Sequence, residues 1–419
     1  MIRWVRATAV VAVATLLFPD VSRARAPEDL EAELERELGT ARTTPVAAQL
    51  LPEISLVGTM AGAVFSDAPS PRLPAHEPWH DGFSLQEIEL GFRSSVDPYV
   101  RADVYLALSL AGIEVEEAYA TTLALPANLQ LRAGQFYAPF GRFNQLHFLE
   151  VTPFVDMPLV NRRFFGGEQL RGMGVELSFL FPLPFFLELR TAAQTADNRL
   201  SFGVPAEDVH GAEDLLGVAR LVASFDLGER LNLLGGVSYA NGPNAEGPLE
   251  ARPRTQILGA DLQLHLRDAA SRAYTALQAE WIARRAALPG GGVREGGAYL
   301  WLVRRFDAQW EAAVRADWMG LPQGRTFGRP ALDVHEDHLR YAVRRDFHAA
   351  HDDGHVAGAP SFKPFGQRRF GAAISFYPSE FQRIRLQANY DFLPDERRGI
   401  QEYFLQYQFV IGSHGAHVF

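Results

Sequence analysis

From Glu53 to the end of the chain, apolar and polar residues alternate with a period of two, in short segments separated by Gly, Pro, Asn and Asp. Ile88, Leu90 and Phe92 share one face of such a segment, and Glu87, Glu89 and Arg93 share the other. Leu258, Ala260, Leu262 and Leu264 likewise oppose Asp261, Gln263, His265 and Arg267, and Ile384, Leu386, Ala388 and Tyr390 oppose Arg383, Arg385, Gln387 and Asn389. About sixteen such segments begin near Glu53, Phe83, Pro98, Ile113, Asn128, Glu168, Phe185, Leu215, Glu229, Gln256, Arg272, Gly296, Gln309, Arg369, Phe381 and Gln401. An even number is what an antiparallel ring without edges requires. Alternation by itself also suits a soluble sandwich, whose apolar face turns inward.

Three features favour the ring. Every second connection is short, as at Ser94–Asp97, Phe181–Pro184, Asp226–Gly228, Arg267–Ser271, Asp307–Ala308 and Pro378–Glu380, while most of the others are long, with Ser109–Gly112 the exception. Tight turns on the periplasmic side and long external loops give that parity and put both termini in the periplasm. Aromatic residues Phe179, Phe181, Trp318, Phe376, Tyr377, Tyr390 and Phe392 stand near strand ends, where rings can lie at headgroup level. The last segment, through Tyr403, Leu405, Tyr407, Phe409 and Ile411, runs to a terminal Phe419, the pattern read by outer-membrane barrel assembly machinery. The expected fold is all-β: a transmembrane antiparallel up-and-down β-barrel of about sixteen strands over residues 51–419, set in outer-membrane lipid.

Ahead of it, Arg3 and Arg6 with the apolar stretch Ala7–Phe18 read as a signal peptide over 1–26, with cleavage after Ala26 or Ala24. Residues 27–50 read as a short periplasmic helical stub and linker, in which Leu30, Leu34 and Leu38 recur four apart, with a self-association or cell-wall contact helix as the alternative. After the signal no apolar run is long enough for a membrane helix. The absence of cysteine suits passage through an oxidising periplasm, and a net charge of -10 with scattered arginines argues against a nucleic-acid partner.

Leu131-Arg-Ala-Gly-Gln-Phe-Tyr-Ala-Pro-Phe-Gly-Arg142 and Gln408-Phe-Val-Ile-Gly-Ser-His414 resemble porin-like outer-membrane proteins of the phosphate-selective porin O/P type. The first stretch is similar to that family's strand leading into a large loop with a Gly-x-x-x-x-x-Phe-Gly pattern. Leu85 to Thr122, with Val115-Glu-Glu-Ala-Tyr119, is also similar to proteins labelled zinc-regulated TonB-dependent outer membrane receptors, but residues 27–50 leave no room for their plug domain.

Tyr137–Gly167 is too apolar for a free external loop, mixing six phenylalanines with Arg142, Asp156, Arg162 and Arg163. It is expected to fold into the barrel as a constriction whose charges set the local field. The alternative is an external loop packed on its own aromatics. Inward positions include Arg101, Arg132, Arg190, Arg220, Arg284 and Arg315 among Asp103, Glu116, Glu176, Glu188, Asp261, Glu280, Glu311 and Asp317, a mixture expected to pair across strands. With Lys363 the only lysine, an anion path must use arginine.

The longest loop, Gly320 to Gln367, holds His335, His338, His348, His351 and His355 among acids, with pairs three apart, so it is either an external zinc-capture loop or a solvated polar loop. No Gly-x-Ser-x-Gly elbow occurs, and His147, His210 and His265 lie on separate segments, so no enzyme is expected. The expected function is a channel for passive diffusion of small hydrophilic solutes, with anions as candidates and a homotrimer as the assembly. The alternatives are a zinc-binding uptake or surface-binding barrel using residues 333–355, and a barrel that only anchors its loops. No cofactor is expected beyond that zinc.

Overall fold

The computed structural model describes residues 52–67, 76–110, 112–195, 197–198, 200–203, 209–244, 253–268, 272–288, 291–320, 327–328, 366–392 and 399–412. The signal, the stub, Phe419 and the histidine-rich stretch 333–355 lie outside them.

Sixteen strands form one closed antiparallel ring. They are β1 (Glu53–Phe65), β2 (Gly82–Asp97), β3 (Val100–Ser109), β4 (Gly112–Thr122), β5 (Leu129–Tyr137), β6 (Arg171–Leu180), β7 (Phe186–Thr195) and β8 (Leu216–Leu227). The ring continues with β9 (Leu231–Pro243), β10 (Arg254–Arg267), β11 (Tyr274–Leu288), β12 (Gly291–Arg305), β13 (Trp310–Met319), β14 (Arg368–Ser379), β15 (Gln382–Phe392) and β16 (Ile400–Gly412). Each strand pairs with its sequence neighbours, and β16 returns to β1, from Ser55 opposite Gly412 to Phe65 opposite Glu402. The two-residue strand Phe327–Gly328 extends the sheet beside β12.

Every expected strand is present. The largest difference is at β12, which begins at Gly291 rather than near Gly296, so the outer β11–β12 connection is as short as that at Ser109–Gly112. The β2–β3 turn falls at Pro98-Tyr99 rather than at Ser94–Asp97, because Arg93 to Ser95 continue the ladder with Asp103 to Arg101.

The alternation runs opposite to that of a soluble protein. Leu258, Leu262, Leu300 and Phe370 point outward and are exposed, whereas Asp261, Glu280, Arg315 and Arg385 point inward and are buried. An apolar exterior around a charged interior is the arrangement of a barrel in hydrocarbon. Among the described residues no helix is long and apolar enough to cross a membrane; the crossing elements are strands.

Besides shifts next to the turns at Ser95–Asp97 and Phe376–Ser379, two bulges interrupt the alternation within strands. Thr59 faces Glu87 while Met60 faces Leu85, leaving Gln86 extra on β2; Tyr105 faces Glu117 while Leu106 faces Val115, leaving Glu116 extra on β4. An extra residue re-aims its neighbours. Consequently Gln86 and Glu87, and Glu116 and Glu117, are all buried although adjacent in sequence.

Candidate functional site

The segment between β5 and β6 enters the barrel. Its neck is closed by the Ala138 N–H donating to Leu170 O at 2.8 Å. Asn144 holds the same neck: its Nδ2 donates to the carbonyls of Ala138 and Leu170, and its Oδ1 accepts from the Leu170 N–H. Gly141 turns the chain inward with φ of +58°, and a Cβ there would strike Glu280 on β11. On the facing wall Gly259 of β10 makes room for Phe140, whose ring would lie 2.8 Å from an added Cβ.

Inside, the segment forms two short helices, α1 (Phe148–Val151) and α2 (Leu159–Phe165). Phe140, Phe143, Phe154 and Phe164 are fully buried and pack with Tyr299 and Trp301 of β12, the Phe143 and Phe154 rings lying 6.2 and 6.0 Å from that of Trp301. Helices this short leave most backbone groups unpaired, so the wall must supply partners. Gly141 N–H donates to Ser238 Oγ of β9, Leu159 N–H to Asp317 of β13, and Val155 N–H to Gln387 of β15. Arg383 and Gln408 donate to Leu149 O, and Arg383 and Arg385 to Thr152 O. The segment is therefore tied to most of the circumference.

Asp156 is the centre of a buried charge network. It accepts from Arg315 at 2.8 Å, from Arg369, and from Gln387 at 2.5 Å and Asn389 at 3.2 Å, with Arg162 at 3.6 Å. Arg162 also pairs with Glu77 at 2.9 Å, and Arg163 with Glu295 at 3.4 Å. Of the four residues expected to set the field of a constriction, three are thus buried in ion pairs. Arg142 alone faces open space, hydrogen-bonded to Gln278 at 3.2 Å. Burial pushes the Arg163 guanidinium down to about 10 and also lowers that of Arg142.

That space is a cavity of about 480 Å³ on the short-turn side of the segment, lined by Arg142, Glu150, His265, Arg305, Glu311 and Arg383 among others. The remaining inward charges are paired along the wall: Arg101 with Asp103, Arg132 and Arg190 with Glu176, Arg220 with Asp261, and Arg284 with Glu295. Glu280 accepts from Tyr299 at 3.0 Å and from the Phe143 N–H at 3.3 Å. Sequence reasoning missed Glu77 and Arg369 as partners of the segment; for Arg369 the available signal was its place on the polar face of β14. His147 does not stand alone as its segment suggested, because it meets Glu89, Glu116 and Glu117.

No family model matches the chain. An uncharacterized protein of Aquifex aeolicus (strain VF5) is 30% identical to it, over 93% of this chain and 85% of that protein. Among solved structures, the outer membrane channel DcaP of Acinetobacter baumannii is similar with a TM-score of 0.52 and 11% identity, over 86% of this chain and 96% of that one. An anion-selective porin from Comamonas acidovorans gives 0.51 and 8%, over 86% and 100%. The trimer form of OmpT, an outer membrane protein of Vibrio cholerae, gives 0.51 and 7%, over 86% and 99%. At such identities the likeness is one of fold: the sixteen-stranded barrel of outer-membrane porins.

Proposed function

The chain belongs to one family with the uncharacterized Aquifex aeolicus protein, and from its barrel and its likeness in fold to outer-membrane porins we propose that it is an outer-membrane channel for passive diffusion of small hydrophilic solutes, with residues 138–170 setting the aperture. The observation that carries this reading is the segment itself, hydrogen-bonded around the inside of a barrel with a charged interior. Barrels of 16–18 strands are wide enough for an aqueous lumen, so a segment lying across one determines what passes. Assembly as a homotrimer belongs to the same proposal.

A preference for anions, which the porin O/P resemblance implies, rests on Arg142, Arg305 and Arg383 around the cavity. Glu150, Glu311 and Glu380 line it too, so the expected bias is small. Planar-bilayer recording tests both parts. The intact barrel is expected to give small unitary conductance with a reversal potential near zero in a salt gradient, and deletion of residues 143–162 is expected to raise the conductance severalfold. Equal conductance with and without those residues would overturn the reading.

A further inference from the structure

We propose that the lumen contains a binding site for divalent transition-metal ions, between the barrel wall and the inner segment, built from Glu89, Glu116 and His147 with His76 and Glu87 adjoining. It uses none of the histidines of residues 333–355 and stands whether or not the barrel conducts.

His147 is the residue that caps α1. Its Nδ1 lies 2.8 Å from Glu89 Oε2 and 3.4 Å from Glu116 Oε2, while Nε2 is 3.1 Å from Glu117 Oε2. A carboxylate on one ring nitrogen that frees the other for an ion is the usual outer support of a metal-binding histidine. Ligand atoms about 2 Å from zinc in tetrahedral array lie roughly 3.3 Å from one another, and the separation of His147 Nδ1 from Glu116 Oε2 is of that size, with Glu89 Oε2 nearer. On the other side of Glu116, His76 Nε2 is 3.9 Å from its Oε1, and His76 Nδ1 is 2.5 Å from Glu87 Oε2. In each group the candidate ligand atoms fall within 4.8 Å of one another, and Glu116 belongs to both.

Two further observations call for a cation. Glu116 Oε2 and His76 Nδ1 are buried and make no hydrogen bond of good geometry, although each touches a group of opposite polarity, His147 Nδ1 at 3.4 Å and Glu87 Oε2 at 2.5 Å. Glu87, Glu89, Glu116 and Glu117 are also all buried; their ion-pair partners are the two imidazoles, and Tyr137 donates its O–H to Glu116 and its N–H to Glu117. The guanidiniums nearby are shared with other carboxylates, Arg132 with Glu176 and Arg171 with Glu114 and Glu168. Buried charge of one sign requires a partner. The two bulges bring these carboxylates together, since without Gln86 and Glu116 as extra residues β2 and β4 could not bury adjacent polar positions. Imidazole with carboxylates suits zinc and its neighbours better than magnesium or calcium.

The test is zinc titration of the full chain, refolded in detergent, by equilibrium dialysis. One variant carries His335, His338, His348, His351 and His355 all replaced by Ala, so that the external loop cannot contribute. It is expected to keep saturable zinc binding, at one or two ions per chain, with magnesium and calcium failing to compete. In the same background Glu116→Gln or His147→Ala is expected to weaken binding at least tenfold. Loss of saturable binding from the loop variant would sink the site, as would binding indifferent to Glu116→Gln and His147→Ala. Should either of those substitutions prevent folding, the zinc absorption-edge spectrum of the loop variant decides, with imidazole scattering expected and an all-oxygen shell counting against the site.

Discussion

Arg369 illustrates how a charge is kept inside this barrel. It is fully buried and shared between Asp156 of the inner segment and Asp391 of β15. Replacing it alone takes the guanidinium from these two buried carboxylates and from Glu402 at 3.9 Å, and Arg369→Met is expected to cost about 3–5 kcal/mol. Adding Asp391→Asn removes one of those charges, so the double variant is expected to recover part of the loss. Urea unfolding in detergent, followed by the mobility of the folded band, measures both; a double variant no better than the single would show that the pair does not act as a unit. The inward placement of Arg369 could be read from the alternation of β14. Its partner Asp156 could not, because that contact joins residues far apart in the chain and depends on where the inner segment travels.

At the level of elements, the strands were legible because period two is a local property: each outward Leu or Phe and inward charge repeats the same statement within one segment. The bulges were not. Gln86-Glu87 and Glu116-Glu117 are adjacent polar pairs, which read in sequence as a strand end or an exposed stretch rather than as two inward residues. The entry of the inner segment was signalled by its phenylalanines, but the burial of Arg162 and Arg163 was not, since charges in an aromatic loop suit an aqueous rim equally well. The strands are joined by their own ladder of hydrogen bonds, whereas the segment is held by aromatic packing and by side chains of the wall. Phe154→Ala is therefore expected to cost about 3–5 kcal/mol of its packing while the strands stay paired. Limited proteolysis checks this: cleavage within 138–170 should quicken while the heat-sensitive mobility of the barrel is retained, and loss of both together would show that segment and ring are one cooperative body.

For the whole molecule, the direction of the side chains separates this ring from a soluble sandwich. Leu262 lies mid-strand on β10 and faces outward. Leu262→Arg is expected to lower the stability of the barrel in lipid vesicles by about 2–4 kcal/mol. The same substitution should matter far less in detergent micelles, where a long side chain reaches water easily. Equal losses in both media would point to a packing defect rather than to a hydrocarbon surface.

The seam between β1 and β16 sets a schedule for how this protein comes into being. Residues near the beginning of the ring hydrogen-bond to residues near its end, from Ser55 opposite Gly412 to Phe65 opposite Glu402. The final contact is therefore among the most distant in the chain and the slowest kind to form by chance. A nascent or truncated chain presents β1 as a bare edge, open to pairing with any other strand it meets. Closure of the ring thus serves as a checkpoint: only a chain that possesses the strand Ile400–Gly412 can erase the edge of its first strand.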